Sequence, residues 1–156
     1  MIELRQANSD DFNFLYKLKK KALKEYISKT WGWDKEWQQS YFSQNFNPEV
    51  LKIIVKSEED IGCISIIEEE NLYILSLIEI LPQFQNKGIG TRLINELLSN
   101  AIKQNKSVYL QVLKTNEKAQ KLYKKLGFSI ESTTDTHYEM VYKNDKYELI
   151  LKRKES

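Results

Sequence analysis

The sequence predicts an α+β fold, a mixed α/β sheet, and three changes of hydrophobic pattern support that prediction. After one short alternating segment, apolar residues recur every three or four positions, as in amphipathic helices. From residue 51 the period becomes two, which indicates consecutive strands. Two further helical segments then alternate with strands. The predicted order is β-α-α-β-β-β-α-β-α-β-β, antiparallel at first and with a crossover helix later.

The first half of the chain contains one strand and two helices before the sheet continues. Alternation at Ile2, Leu4 and Gln6 predicts the strand. A helix from about residue 10 to 28 follows from apolar residues at helical spacing. These residues are Phe12, Leu15, Leu18, Ala22 and Tyr26. A shorter helix should follow Asp34 and end before Asn47-Pro48.

Three strands are predicted next, over residues 51–56, 61–68 and 72–80. The third is almost wholly apolar, which is typical of a central strand buried on both faces. Pro82 ends it.

The second half alternates helices with strands. A helix from Gly88 to about Gln104 presents a core stripe of Leu93, Leu97, Leu98 and Ala101. After a strand over 108–113, Asn116 caps a helix that ends at Leu126, with Gly127 as the residue after the cap. Strands are predicted over 128–130, 138–142 and 147–151, and the pattern leaves open which two of them pair.

Composition limits the class of protein. A chain of 156 residues with 41% hydrophobic residues predicts a single domain, 1–156, with a sizeable core. Its net charge of +2 indicates neither a nucleic-acid nor a membrane partner. One cysteine excludes an internal disulfide, and no set of metal ligands is visible. The N-terminus lacks the pattern of a signal peptide, so we expect a soluble, cytoplasmic protein whose Lys152-Arg153-Lys154 end is a solvated tail.

The segment from Pro82 to Thr91 joins the apolar strand to a helix and contains Gly88 and Gly90. Two glycines at this spacing leave backbone N–H groups uncovered at the positive end of a helix, where a pyrophosphate can bind. The third glycine of a dinucleotide fingerprint is replaced by Leu93, and the Gly-Lys-Ser/Thr of a P-loop is absent. Taken alone, the pair is more typical of a tight strand-to-helix turn than of a pyrophosphate site.

A second segment, from Asn116 to Phe128, follows the next strand. Together the two segments resemble the GNAT superfamily of acyl-coenzyme A-dependent N-acyltransferases. The first signature, Gln/Arg-x-x-Gly-x-Gly/Ala, is met by Gln85, Gly88 and Gly90. The second, Asn-x-x-Ala-x-x-x-Tyr-x-x-x-Gly-Phe, is met by Asn116, Ala119, Tyr123, Gly127 and Phe128. The resemblance implies a GNAT-like fold whose central strands splay around coenzyme A.

The resemblance also implies which residues bind acetyl-coenzyme A (acetyl-CoA), the expected cosubstrate. The turn would hold the pyrophosphate through Gln85, Asn86, Lys87, Gly88, Ile89, Gly90 and Thr91. The backbone of Ile78 and Ile80 would pair with the pantetheine arm, and an N–H near Ile80 would polarise the thioester carbonyl. Asn116 would contact the same arm.

Tyr123 is the implied general acid for the thiolate leaving group, and its alternative is a core aromatic of an amphipathic helix. The base is open. The position used by some family members is Gln111, and an amide cannot accept the proton. Glu79 is the candidate because a charge within an apolar strand needs a reason, unless it faces solvent where the strands splay. His137 could act through water, or be a surface residue.

The acceptor site is expected between the first two helices and the last strands. Aromatic residues crowd that region: Tyr26, Trp31, Trp33, Trp37 and Tyr41. They could form a wall for an amine with an apolar body, or pack the helix pair on the sheet. Few acids lie nearby (Glu25, Asp34 and Glu36) and several lysines do, which disfavours polyamines and aminoglycosides. Cys63 is expected to be a small buried hydrophobe.

The resulting hypothesis is an N-acetyltransferase that moves an acetyl group to a primary amine of a small molecule or peptide by direct attack on the thioester. The alternative is a module that senses acetyl-CoA without catalysis. A homodimer, and an acyl group other than acetyl, are left open.

Overall fold

The computed structural model describes residues 1–144. Within these residues, seven strands and four α-helices follow in the predicted order. They are β1 (Ile2–Gln6), α1 (Phe12–Trp31), α2 (Lys35–Asn45), β2 (Lys52–Lys56), β3 (Glu59–Glu68), β4 (Leu72–Ile80), α3 (Ile89–Lys103), β5 (Ser107–Leu113), α4 (Glu117–Lys125), β6 (Ser129–Thr133) and β7 (His137–Tyr142). The strand expected over 147–151 and the Lys152-Arg153-Lys154 end lie outside the described residues.

The strands form one mixed sheet in the order β1-β2-β3-β4-β5-β7-β6. β1, β2 and β3 pair antiparallel, whereas β4 and β5 are parallel and are joined by the crossover helix α3. β7 pairs antiparallel with both β5 and β6. The predicted antiparallel start and later crossover are therefore confirmed. Of the candidate C-terminal strands, the two that lie within residues 1–144, β6 and β7, pair with each other.

Two strands at the middle of the sheet share only part of their length. The ladder between β4 and β5 pairs Leu72–Leu75 with Ser107–Leu110. β4 continues for five further residues and β5 for three.

The chain divides into two compact units, residues 1–66 with 77–89 and residues 67–76 with 90 onwards. The core of the first unit contains Leu15, Leu18, Ile53, Cys63 and Leu81. Phenylalanine rings from α1 and α2 pack edge-on beside it: Phe12 lies 5.2 Å from Phe42 and 5.0 Å from Phe46 between ring centroids. Phe42 of α2 and Phe46, its C-cap residue, thus contact α1 through Phe12, beside the leucines that α1 buries.

The second unit is built around α3 and β5. The predicted stripe Leu93, Leu97, Leu98 and Ala101 is buried, and Ile94 is fully buried with it. Along β5, Val108, Leu110 and Val112 are buried at alternate positions, as a strand with one packed face requires. Within the described residues, no helix combines the length and the apolar character needed to cross a membrane.

The prediction that β4 is buried on both faces is wrong. Only Tyr73, Leu75 and Glu79 are buried among its nine residues, and Ser76 is exposed. Because successive side chains point to opposite faces, these odd-numbered residues share one face. The side chains of Ile78 and Ile80, on the other face, remain half-buried.

Candidate active site

The turn between β4 and α3 has a backbone that glycine and asparagine adopt most easily. A short 3-10 helix, Pro82–Phe84, follows β4. Asn86 and Gly88 then have positive φ angles of 61° and 79°. A Cβ atom at Gly88 would meet no atom within 4 Å, so the space above it is open. Glycine is required here by its left-handed conformation, and the turn leaves its backbone accessible.

This turn leads into the N-terminus of α3, a helix of 15 residues with no acidic residue in its first turn. The first four N–H groups of a helix have no intrahelical partner, and they carry the positive end of its dipole. Asn86, Lys87 and Gly88 are exposed before the helix begins. The turn and helix therefore fit a diphosphate, which would meet backbone donors and no carboxylate.

Gln85 ties the turn to the end of β4. Its side-chain Nε2 donates a hydrogen bond of 2.8 Å to the carbonyl oxygen of Ile80. This hydrogen bond holds the turn against the end of β4. Because only a donor can stabilise an oxyanion, the role that the resemblance implies belongs to the backbone N–H near Ile80 and not to this carbonyl.

Glu79 lies on β4 and is 5% exposed, so it does not face solvent as one interpretation of the sequence allowed. Its Oε1 atom accepts a contact of 3.6 Å from the Cys63 thiol. Oε2 is the one buried side-chain polar atom among residues 1–144 that has no hydrogen-bond partner. Burial raises the pKa of Glu79 to about 7, against smaller lowering effects of Cys63 and Lys19. A carboxyl group in this state exchanges protons near neutral pH.

The backbone at Glu79 is set by a close approach to β3. A Cβ atom at Gly62 would overlap the carbonyl oxygen of Glu79 and lie 3.2 Å from the Cα of Ile80. The neighbouring Cys63 is buried as expected, and its pKa is raised, mainly by burial. Its thiol is therefore neutral and can donate to Glu79.

Helix α4 carries the second signature. The Oδ1 atom of Asn116 accepts a hydrogen bond of 3.1 Å from the N–H of Ala119, which is the expected N-cap. Gly127 follows the C-cap with φ of 105°, also as expected. Tyr123 is 8% exposed, and its ring packs edge-on against Phe128. Burial raises the pKa of Tyr123 to about 12, so its hydroxyl keeps its proton at neutral pH.

A cavity of about 620 Å³ lies in the first unit, a volume in the usual range of small-molecule sites. Its lining comes from α1, α2 and the segment between them: Lys19, Ile27, Trp31, Gly32, Asp34, Trp37, Gln38 and Tyr41. Trp37 and Tyr41 are stacked with ring centroids 4.9 Å apart, and both are about half exposed, at 57% and 46%. These rings therefore form a cavity wall and are not part of the core.

The aromatic residues named from the sequence divide into two groups. Trp31, Trp37 and Tyr41 line the cavity, whereas Tyr26 and Trp33 do not. The ring of Trp33 instead lies 5.8 Å from the Nζ of Lys24. Of the other candidates, His137 begins β7 with its Nδ1 2.8 Å from the Thr136 hydroxyl, and burial lowers its pKa.

Two polar cavity residues, Lys19 and Gln38, were missed by the sequence prediction, as were the apolar Ile27 and Gly32. The Nζ of Lys19 lies over the rings of Tyr41 and Phe42, 5.4 and 5.7 Å from their centroids. Burial lowers the pKa of Lys19, and the charge of Glu79 partly opposes this. A signal was present, because Lys19 stands four residues after Leu15 and three before Ala22, on the apolar stripe of α1.

The Gln111 side chain is exposed on β5 and donates a hydrogen bond of 3.0 Å to the Tyr109 hydroxyl.

Residues 1–144 contain no group of three or more His, Cys, Asp or Glu side chains that could hold a metal ion.

Comparison with known structures agrees with this architecture. The chain is 20% identical to PaiA N-acetyltransferase from Thermoplasma acidophilum, solved in complex with coenzyme A, with a TM-score of 0.75 over 92% of this chain and 99% of that one. The ribosomal-protein-S18-alanine N-acetyltransferase of Escherichia coli is 18% identical, with a TM-score of 0.62 over 90% and 92% of the two chains. An Arabidopsis thaliana protein in complex with the bisubstrate analogue CoA-Ac-MVNAL is 21% identical, with a TM-score of 0.62 over 90% and 97%.

At these identities the structural matches establish the fold. The family follows from the sequence model of the acetyltransferase (GNAT) family, which matches residues 12–128 of the 156-residue chain. That range includes both signatures, the turn before α3 and the helix that carries Tyr123. The chain belongs to the GNAT family and is an acetyl-CoA-dependent acyltransferase.

Proposed function

We propose that this chain, acting as one domain, transfers the acetyl group of acetyl-CoA to a primary amine of a small molecule or peptide by direct attack on the thioester. The observation that carries the proposal is the turn before α3. Its left-handed residues at Asn86 and Gly88 leave an open backbone at the positive end of a long helix. This arrangement suits a pyrophosphate and needs no side-chain cation.

The proposed contacts to acetyl-CoA follow from that turn. Main-chain N–H groups of the segment 85–91 hold the pyrophosphate, and Lys87 adds positive charge. The backbone of Ile78 and Ile80 pairs with the pantetheine arm, and Asn116 contacts the arm from α4. The half-buried side chains of Ile78 and Ile80 support this, because they present apolar surface on the open face of β4.

Glu79 is the proposed general base. Its buried, unpartnered Oε2 atom and its pKa of about 7 describe a carboxyl group that can accept a proton from an ammonium group at neutral pH. His137 is the weaker alternative, because a hydroxyl group already lies within hydrogen-bond distance of its Nδ1.

Tyr123 is the proposed general acid. When acetyl-CoA is bound it supplies the activated acyl group and a thiolate leaving group. A phenol with a pKa of about 12 is fully protonated at neutral pH and can donate to that thiolate. No covalent nucleophile is needed, because a thiolate leaves readily.

The test combines binding with turnover. Calorimetric titration with acetyl-CoA should show a dissociation constant in the micromolar range, about −7 to −8 kcal/mol. A panel of amino acids, peptides, polyamines and aminoglycosides should then contain at least one amine that releases coenzyme A above the hydrolytic background.

Three results of these measurements would contradict different parts of the proposal. Binding without turnover of any amine would replace the proposal with a sensor of acetyl-CoA. Absence of binding at millimolar concentration would contradict the turn as a pyrophosphate site. Preferential turnover of spermidine or an aminoglycoside would contradict the expected acceptor with one amine.

A further inference from the structure

The cavity of the first unit contains two polar side chains that form no hydrogen bond or ion pair with the described residues. Its walls are largely aromatic, from Trp31, Trp37 and Tyr41. Between them lie one cation, Lys19, and one buried amide, Gln38. An apolar cavity with a few convergent polar groups is the usual form of a site that orients a small molecule.

Lys19 is a half-buried ammonium group that forms no ion pair with any residue from 1 to 144. Among the described residues no carboxylate lies within 4 Å of its Nζ, which instead faces the rings of Tyr41 and Phe42. Ring faces attract a cation, but they do not accept its N–H donors as oxygen atoms do. Burial still lowers the pKa of Lys19 because the charge of Glu79, which is more than 4 Å away, offsets it only in part, so an anion bound in the cavity would stabilise this cation.

Gln38 is the second unmatched group. It is 6% exposed and lines the cavity, yet within residues 1–144 its side-chain amide makes no hydrogen bond. Its amide atoms reach the solvent in the cavity, since Glu79 Oε2 is the fully enclosed, unpartnered exception among residues 1–144. The amide is thus placed to donate to a molecule in the cavity.

We propose that the acceptor is an amine that also bears a carboxylate, which Lys19 and Gln38 bind while its apolar body lies against Trp37 and Tyr41. The inference rests on the proposed acetyl transfer and narrows its acceptor to amino-carboxylates with an apolar or aromatic body. An ammonium and an amide together supply the charge and the directed donors that a carboxylate needs.

The acid that lines the same cavity does not reverse this preference. The Oδ1 atom of Asp34 accepts a hydrogen bond of 2.9 Å from the N–H of Trp37, as the N-cap of α2. Asp34 is exposed, so solvent screens its charge. A polyamine would place further cations beside Lys19, which opposes its binding.

The experiment compares matched acceptors that differ only in charge. We would measure kcat/KM, corrected for the fraction of free amine, for para-(aminomethyl)benzoate against para-(aminomethyl)benzamide, and for phenylalanine against phenylalaninamide. The two pairs differ in the separation of amine and carboxylate. In at least one pair the carboxylate should be preferred by about 10- to 100-fold, the usual strength of a charge-assisted hydrogen bond.

Substitutions at Lys19 and Gln38 test whether these two residues cause the preference for a carboxylate. Lys19→Met should reduce the carboxylate-to-amide ratio by about 10- to 100-fold, and Lys19→Arg should restore most of it. Gln38→Glu places a like charge against the carboxylate and should reduce the ratio as well. Lys17→Met is the matched control, because Lys17 is exposed on the same helix, and it should keep the wild-type ratio.

The results of these measurements distinguish a failure of the carboxylate inference from a failure of the proposed acetyl transfer. Equal turnover within both pairs would overturn the carboxylate inference and leave acetyl transfer standing. If no amine is acetylated, calorimetry with para-(acetamidomethyl)benzoate still tests the site. Binding that Lys19→Met and Gln38→Glu weaken would support it, and absence of binding would overturn it. Circular dichroism of each variant excludes a folding defect.

Discussion

At Glu79 the fold keeps a carboxyl group away from solvent and, among residues 1–144, gives it one weak donor. The thiol of Cys63 contacts Oε1, and burial is the main reason for the raised pKa. The environment therefore determines the protonation of this residue more than any ion pair does. Its charge state should be visible in both stability and activity.

Because the folded-state pKa is raised from 4.5 to about 7, the folded protein retains a proton that the unfolded chain loses within this range. The free energy of unfolding should therefore decrease as pH rises from 4.5 to about 7. Glu79→Gln should remove this component of the pH dependence, as measured by urea unfolding at several pH values. Glu3→Gln, at an exposed position on β1, is the control and should retain it.

The same group should shape the pH dependence of the reaction. If the ionised form is the base, kcat/KM should rise with pH through about 7. Cys63→Ala removes the hydrogen bond that lowers this pKa, so the rising limb should move to higher pH. A profile that is the same in the wild type and in Glu79→Gln would exclude Glu79 as the base.

Tyr123 combines burial with a protonated hydroxyl group. Tyr123→Phe retains the ring that packs against Phe128 and removes only the hydroxyl. We expect kcat to fall about 100-fold or more while acetyl-CoA binding stays nearly unchanged, measured by coenzyme A release and calorimetry. Unchanged turnover would make Tyr123 the core aromatic of the alternative interpretation.

At the scale of elements, the approach of β3 to β4 determines where Glu79 and Ile80 lie. Gly62→Ala would place a methyl group against the backbone of both residues, which a side-chain adjustment cannot relieve. We expect a loss of about 1–3 kcal/mol in the free energy of unfolding, measured in urea, together with reduced turnover.

Ile67→Ala is the control for that substitution, because Ile67 is 42% exposed at the far end of β3. Its stability should change by less than about 1 kcal/mol. If Gly62→Ala is as stable and as active as the wild type, the close approach does not constrain the site.

For the whole molecule, binding of acetyl-CoA should be visible as stabilisation. A ligand that binds only the folded state at about 100 times its dissociation constant adds about 2.7 kcal/mol to the free energy of unfolding. We expect a rise in Tm with acetyl-CoA in thermal melts. Gly90→Asp, which adds bulk and negative charge beside the proposed pyrophosphate, should abolish most of the rise. An equal rise in this variant would argue against pyrophosphate binding at the turn.

The sequence by itself determined the order of elements, because each was encoded locally. Alternation and helical spacing predicted strands and helices, and short signals such as Asn116 and Gly127 marked the limits of α4. The signatures around Gly88 and Tyr123 identified the family for the same reason, since each lies within one short segment. The burial of β4 was misjudged, because apolar composition does not say which face another element covers.

Only the tertiary structure decided what depends on residues distant in the chain. The raised pKa of Glu79 requires the burial around it and the contact of Cys63, 16 residues earlier in the sequence. Lys19 and Gln38 became candidates because packing brings α1 and α2 around one cavity and leaves both polar groups there without an oxygen partner from the described chain. Burial and unmatched polarity are properties of an assembled environment, and no local pattern of residues specifies them.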